Sequence, residues 1–417
     1  MSKDWKPLWT LFLLGLIGGL LFEAGDIMIR LWSRDMGLTP KDLDILNTIE
    51  ILHPLKFLWA PLFSLPLFLG KWTQRRAWLL MVMTISLSAI IGLGCSPFFG
   101  AFFFVSLVVL TIARASYDAL VIASQMDVVS KSHWGFSENS CVTGYRISFM
   151  AISFGALRAS SWGLTWPHIY LWVGGVLALG IIFIAYSPLF RFLNTIHSSK
   201  PERLWQSVRQ WMTLPGSALV FLFLLIYRLQ DGLIDPQREF FLLDAGLSKI
   251  QLADLKTIAL CGTIVGGFGA GACIRYKGYR SALTWGLLLH GCAGAMLYFA
   301  SLYAWPTLAL KAAYCIEQTT KGWSTIAIYS FQLLCCQGGS IITQLALFSA
   351  LTEFGMKLVS TRSGWFVGEY GWTALMGAGS LCGLPALALL PLIFSKTFIG
   401  QKIEQNGRDR GNGGPKP

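Results

Sequence analysis

Long apolar runs alternate with short polar connections along almost the whole chain. A run of about twenty apolar residues, rising about 1.5 Å per residue as a helix, crosses the ~30 Å hydrocarbon core of a bilayer. On this pattern helices are predicted over 8–32, 43–69, 77–95, 100–129, 139–161 and 166–188. After a hydrophilic stretch they resume over 217–242, 250–274, 281–301, 305–334, 340–360 and 371–395. The short alternating segments of a membrane β-barrel are not present. The expected fold is therefore an all-α membrane protein with twelve transmembrane helices in two six-helix halves, 1–189 and 217–396. Between them, 190–216 is expected to be a cytoplasmic linker, and 397–417 a disordered cytoplasmic tail. Within the linker Leu204, Trp205, Val208, Trp211 and Met212 repeat at helical spacing, with Arg203 and Arg209 off that stripe. This predicts a short helix lying on the membrane surface.

Composition agrees with the pattern. Of 417 residues 54% are apolar and 13% charged, where a soluble protein carries about a quarter charged. The net charge of +12 does not call for a nucleic-acid partner, because the basic residues sit in short loops. Lys71, Arg75, Arg76, Lys131, Arg191, Lys200, Arg203, Arg209, Arg275, Lys277, Arg280, Lys396, Lys402, Arg408 and Arg410 all fall on one side of the predicted membrane. The opposite loops hold few basic residues: Arg34, Lys41, Lys249 and Arg362. Basic loops stay cytoplasmic, which places both termini inside. The first run contains Glu23 and Asp26 and does not read as a cleavable signal. Nine cysteines without a CxxC spacing and five dispersed histidines suggest no disulfide framework, no metal site and no cofactor.

The informative residues are charges inside the apolar runs. Each costs roughly 2.5–3.5 kcal/mol on insertion scales, so such residues face a protein interior or a water-filled path. Arg114 and Asp118 are one turn apart and share a face, with Gln125 two turns beyond Asp118. Together Arg114 and Asp118 read as a gate or an ordering pair, and Asp127, near the cytoplasmic end, as a gating or anchoring residue. Similar spacing links Glu23, Asp26 and Arg30; Glu50, His53 and Lys56; Arg228, Asp231 and Asp235; Glu317 and Lys321; and Glu353 and Lys357. The plainer reading is that these pairs tie helices together, although a buried pair adds little net stability. Glu23 and Asp26, two acids on one face, are the better proton carriers, since neighbouring carboxylates resist joint ionisation. Asp118 and Asp231 each have an arginine beside them. Arg146 has no carboxylate one turn away in its own span and suits an anionic substrate group. The glycines of Gly262–Ala272 lack a following Gly-Lys-Ser/Thr and point to close helix packing rather than a nucleotide loop. His133 and His197, the histidines placed in loops, have no acidic cluster around them. An enzyme is therefore not expected.

Six helices, a linker and six more helices is the layout of the major facilitator superfamily, whose substrates bind near mid-membrane. The loops KWTQRR and RYKGYR occupy equivalent places in the two halves. More specifically, Leu55–Leu62 (LKFLWAPL) and Arg75–Leu80 (RRAWLL) resemble AmpG-type muropeptide permeases. So do Ala115–Asp118, Asp127, Gly144–Arg146, Tyr227, Asp231, Lys256, Thr257, Thr263–Gly266, Glu317, Thr343, Gln344, Ala350, Leu351, Gly364–Val367, Gly371 and Trp372.

The resemblance implies a bacterial inner-membrane protein that imports anhydro-muropeptides for cell-wall recycling by alternating access, driven by protons. Its expected partners are this small molecule, protons and the bilayer, and a monomer is expected. The wider family includes acetyl-CoA transporters, so another anionic solute, such as a nucleotide or an acyl-CoA, is the alternative. Motifs and charges together nominate Arg114, Tyr117, Asp118, Gln125, Arg146, Asp231, Glu317 and Gln344 for substrate binding. Glu23, Asp26, Asp118 and Asp231 are nominated for proton coupling, and Lys56, Arg75, Arg76 and Asp127 for gating. The chain departs from the family at Tyr117, Ile122, Gln125 and Ser64, while Glu23, Asp26 and Arg114 look like additions.

Overall fold

A computed structural model describes residues 5–59, 62–63, 68–69, 72–128, 134–194, 209, 211–303, 305–336 and 341–399. Ser64, Lys71, His133, His197, the tail beyond Ile399 and most of the expected linker helix lie outside the described residues, as do the side chains of Gln125 and Asp127. Of the linker stripe, Trp211 is buried and packs on Phe348 and Phe398.

The helices are α1 (Trp5–Gly25), α2 (Ile27–Asp35), α3 (Asp44–Glu50), α4 (Gln74–Cys95), α5 (Ala101–Val128), α6 (Trp134–Ser161) and α7 (Trp166–Tyr186). They continue as α8 (Ser217–Ile226), α9 (Leu229–Ile234), α10 (Arg238–Asp244), α11 (Lys249–Tyr303), α12 (Thr307–Cys335), α13 (Ile341–Ser360), α14 (Ser363–Leu381) and α15 (Leu384–Lys396). A two-residue antiparallel pair, β1 (Phe68–Leu69) and β2 (Trp72–Thr73), precedes α4.

Several predicted helices are interrupted. The run over 43–69 is not one helix. Pro54 lacks an N–H and its ring crowds the carbonyl of Glu50, so α3 stops at Glu50 and a 3-10 turn follows over Pro54–Leu58. The first run breaks at Asp26 (φ −125°, ψ −84°). The seventh is divided at Arg228 and again by a 3-10 turn over Asp235–Gln237 that contains Pro236. Conversely, α11 merges two predicted helices. Its 55 residues would extend about 80 Å if straight, far beyond one bilayer. Gly278, at φ 83° and ψ 171°, breaks it into two arms, 249–277 and 279–303. Gly269 and Cys273 line one cavity with Trp285 and Leu289, so the arms fold back on each other.

Against twelve expected spans, seven described segments are long and apolar enough to cross a membrane. Two of the missing spans have a visible cause. The two arms of α11 count as one segment, and α12 carries Lys311, Glu317 and Lys321 within its length.

The chain divides into two compact units. The first comprises Met1–Leu38, Ile49–Pro201 and Ser248–Thr257. In it α1 lies along α6, while α4 packs against α5 and α7. The α1–α6 contact needs glycine: a Cβ on Gly15 or Gly19 would overlap the Cys141 or Tyr145 carbonyl. Side chains also reach the α1 backbone. Ser140 Oγ donates to Leu8 O (2.7 Å) and the Tyr117 hydroxyl to Leu14 O (2.8 Å). Near the break, Asp26 N–H turns to Glu23 O, and Arg114 Nη1 donates to the Phe22 carbonyl instead (3.2 Å). Tyr170 donates to Ala24 O at 2.9 Å. At the other end of the unit Arg76 is buried and donates to Ile184 O (2.6 Å) and Ser187 O (3.1 Å). Ile184 stands four residues before Pro188, which has no N–H to give its carbonyl.

The second unit comprises Thr39–Thr48, Glu202–Leu247 and Ile258–Pro417. Its core gathers Phe223, Phe331 and Phe348 around Tyr227 and Leu283. Here too glycine sets a close contact, because a Cβ on Gly232 would overlap Met356 O and one on Gly355 would overlap Leu225 O. Asp44 accepts hydrogen bonds from Gly364 N–H (2.8 Å) and Trp365 N–H (2.7 Å) at the start of α14. A carboxylate stabilises helix amides that have no other partner there.

Candidate functional site

Each unit holds a polar network within its apolar packing. In the first, the residues at steps of three on the second run meet α5. Glu50 is bound to the Arg114 guanidinium, with side chains 3% and 1% exposed. His53 Nε2 lies 2.9 Å from Asp118 Oδ2, and Lys56 Nζ lies 3.5 Å from the same oxygen. Trp59 Nε1 donates to Ser116 Oγ at 3.0 Å. The Pro54 break lets this segment follow α5: Glu50 ends α3 and Lys56 sits in the 3-10 turn.

The expected pairing of Arg114 with Asp118 is therefore corrected. Arg114 bonds Glu50, and its guanidinium also stacks over the Phe22 ring at 4.8 Å. The reason lies at Gly25, where a Cβ would stand 2.9 Å from Arg114 Nη1. The arginine fills the space a side chain would take. Asp118 is the open end of this network, 30% exposed.

The acids of α1 and its break are also matched with cations. Arg30 Nε donates to Asp26 Oδ1 at 2.6 Å. Glu23, fully buried, has Lys256 Nζ at 4.0 Å. Lys256 also donates to Ser153 Oγ at 2.8 Å. Glu23 and Asp26 thus each face a cation.

In the second unit Arg228 Nε donates to Asp231 Oδ2 at 2.7 Å, the pair expected from their spacing. Further along, charges run as a ladder between α12 and the segment around Pro236. Lys321 binds Asp235, and Arg238 Nη1 lies 2.6 Å from Asp235 Oδ1 and 3.3 Å from Glu317 Oε1. Glu317 and Lys321 are therefore matched across helices, not with each other. On the far side of Asp231 stands His290, from the second arm of α11. Its Nε2 is 2.9 Å from Asp231 Oδ1 and its Nδ1 is 3.3 Å from Thr320 Oγ1.

The other nominated residues fall as follows. Tyr117 is buried, its hydroxyl committed to Leu14. Arg146 is partly buried on α6, and Gln344 is buried on α13. Arg75 Nη1 donates to Phe63 O at 3.2 Å, and Arg76 closes α7. Gln125 and Asp127 lie on α5 by their backbone. Sequence reasoning missed His290. Its signal was a lone imidazole in an apolar run, visible only when histidines are weighed one at a time rather than as metal ligands. Among the described residues no three metal-binding side chains converge.

No protein-family model matches the chain. Over 394 residues it is 27% identical to the putative transporter AmpG 2 of Rickettsia bellii, covering 94% of this chain and 97% of that one. Over 406 residues it is 26% identical to the anhydromuropeptide permease of Escherichia coli K12, covering 95% and 81%. Among solved structures the nucleoside transporter NupG superposes with a TM-score of 0.73 at 12% identity, covering 93% of this chain and all of that one (100%). A bacterial homologue of the human lysosomal transporter Spinster, in an inward-facing state, gives 0.70 at 14% identity, covering 94% and 97%. The fold is that of major facilitator transporters. These relatives are named as transporters and permeases, not enzymes, and the chain is a multi-pass membrane protein.

Proposed function

From a major facilitator fold and a likeness to AmpG-type permeases over nearly the whole chain, we infer that this protein is a secondary transporter that imports anhydro-muropeptides by proton symport. Twelve spans, both termini in the cytoplasm and residence in the bacterial inner membrane are part of this reading. So is division into the halves 1–189 and 217–396 with a joining segment. The observation that carries it is 26% identity over 406 residues to an anhydromuropeptide permease.

The networks support a transporter in chemical terms. An anhydro-muropeptide offers carboxylates, amides and sugar hydroxyls. Asp118, with His53 and Lys56 beside it, and the partly buried Arg146 are polar groups of the first unit suited to this role. They suit hydroxyl and carboxylate recognition. Arg114 and Tyr117 are sealed and bonded to neighbouring helices, so they hold the framework on which Asp118 is mounted. Asp231, Glu317 and Gln344 are the corresponding candidates of the second unit. For gating, Lys56 is the stronger candidate of the basic residues, since Arg76 already closes a helix end.

The test is uptake by proteoliposomes holding the full chain. An inside-alkaline pH gradient is expected to drive accumulation of radiolabelled anhydro-muropeptide, abolished by a protonophore. Accumulation of a nucleotide or an acyl-CoA but not the muropeptide would move the assignment to the alternative solute class. Muropeptide uptake indifferent to the gradient would remove proton symport.

A further inference from the structure

We propose that His290 is a proton-binding site of the second unit and that Thr320 reads its protonation state. The inference rests on proton-coupled transport and names the group that would carry the proton.

The imidazole is 5% exposed and is held from several sides. Asp231 and Arg228 face it from α9 and its N-terminal cap, with Asp231 in direct contact. Thr320 touches it from α12, where Glu317 and Lys321 are its charged neighbours in the chain. Tyr227, hydrogen-bonded to Ser324, lies against Gly286 one turn before the ring. From α14 Ser380 approaches Gly291 and Gly294. Gln230 Nε2 fixes the His290 backbone by donating to its carbonyl at 2.8 Å.

Two observations single out this ring. First, every carboxylate in the ladder already holds a cation: Arg228 on Asp231, Lys321 and Arg238 on Asp235, Arg238 on Glu317. Protonating one of them would strand a buried guanidinium or ammonium, which is strongly unfavourable. Histidine can gain and lose a proton without breaking such a pair.

Second, the hydrogens around Thr320 admit two arrangements. Its Oγ1 lies 2.8 Å from Glu317 O and 3.3 Å from His290 Nδ1. One hydroxyl hydrogen serves one of them at a time. With a neutral ring, Nε2–H donates to Asp231 and the Thr320 hydroxyl donates to the Nδ1 lone pair. When a proton from water adds to Nδ1, the new N–H donates to Oγ1. The Thr320 hydrogen then turns to the Glu317 carbonyl. The positive charge stays on the ring beside Asp231, and release of the proton reverses each step. Protonation on α11 thereby changes a hydrogen bond within α12, the helix that carries Glu317 and Lys321.

The full-length protein, labelled with ¹⁵N-histidine and held in lipid nanodiscs, tests this directly by NMR from pH 5 to pH 8. One resonance pair should pass from a singly to a doubly protonated ring as pH falls, and should be absent from His290→Gln. Thr320→Val, which keeps the ring but removes its hydroxyl partner, should shift the midpoint of that same change. It also identifies the signal if His290→Gln does not fold. A His290 ring that stays in one protonation state over this range overturns the proposal.

In proteoliposomes His290→Gln should lose gradient-driven accumulation of radiolabelled anhydro-muropeptide far more than counterflow exchange. Accumulation equal to wild type would also overturn the proposal. Absence of gradient-driven uptake in the wild type is a failure of the symport reading instead, and the NMR titration still decides whether His290 binds the proton.

Discussion

The contact between the broken second segment and α5 in one unit, and that between the first arm of α11 and α12 in the other, join the second and fourth apolar segments of their halves. They are built from opposite materials. The first is ionic: Glu50 on Arg114, then His53 and Lys56 on Asp118. The second is a close contact of small residues. A Cβ on Gly266 would overlap Thr319 O, one on Gly322 would overlap Thr263 O, and Gly262 meets the Thr319 hydroxyl. Yet the contacts between first and fifth segments rest on glycine in both units, at Gly15 and Gly19 in one and Gly232 and Gly355 in the other. Part of the scaffold is thus common to both units, and the interface that differs is the one built from ion pairs in the first. Close backbone contact leaves no room for water or solute. An interface of long charged side chains can hydrate and exchange partners.

The largest expected effect is at the sealed end of the ionic interface. Glu50→Leu leaves the Arg114 guanidinium buried without its carboxylate, a loss of about 3–5 kcal/mol. Thermal unfolding in detergent should show it, and Glu50→Leu combined with Arg114→Leu should recover most of the loss. If the single variant unfolds like wild type, water already reaches this pair and the contrast between interfaces weakens. Next comes Gly266→Leu, which forces α11 from α12 and should cost roughly 1–3 kcal/mol by overpacking, or more. Gly155→Leu is the control, since a Cβ there meets nothing within 4 Å. Equal melting of the two variants would show that the glycine contact yields easily. The smallest effect is expected for Lys56→Ala. Asp118 is 30% exposed and keeps His53, so stability should change by less than about 1 kcal/mol. A larger drop in melting temperature would mark the open end of the network as structural.

Much of this was legible in residue order. Apolar runs locate the helices, and Gly262, Gly266, Gly267 and Gly269 do serve close packing. Charges at helical spacing mark the faces that turn inward, and Arg228 with Asp231 pairs as its spacing suggests. What spacing does not reveal is which helix stands opposite. A period of 3.6 residues defines a face, and the partner of that face is set by tertiary packing. Arg114 went to Glu50, and Glu317 to Arg238, for that reason. Interruptions were partly readable. Pro54 and Pro236 announce themselves, but the break at Asp26 lies where Arg114, from another helix, takes the Phe22 carbonyl. His290 was hidden because one polar residue in an apolar run carries no periodicity.

The hydroxyl bonds to α1 have a consequence for observing the molecule at work. Leu14 lies within the helix, so its carbonyl accepts the regular helical N–H and the Tyr117 hydroxyl together. A carbonyl with two donors vibrates at a lower infrared frequency than its singly bonded neighbours. An isotope-edited label at Leu14 therefore gives α1 a spectroscopic address, tuned by a residue of α5. Loss of the Tyr117 bond, if α1 and α5 slide during turnover, would appear as an upward frequency shift on a single labelled peptide group.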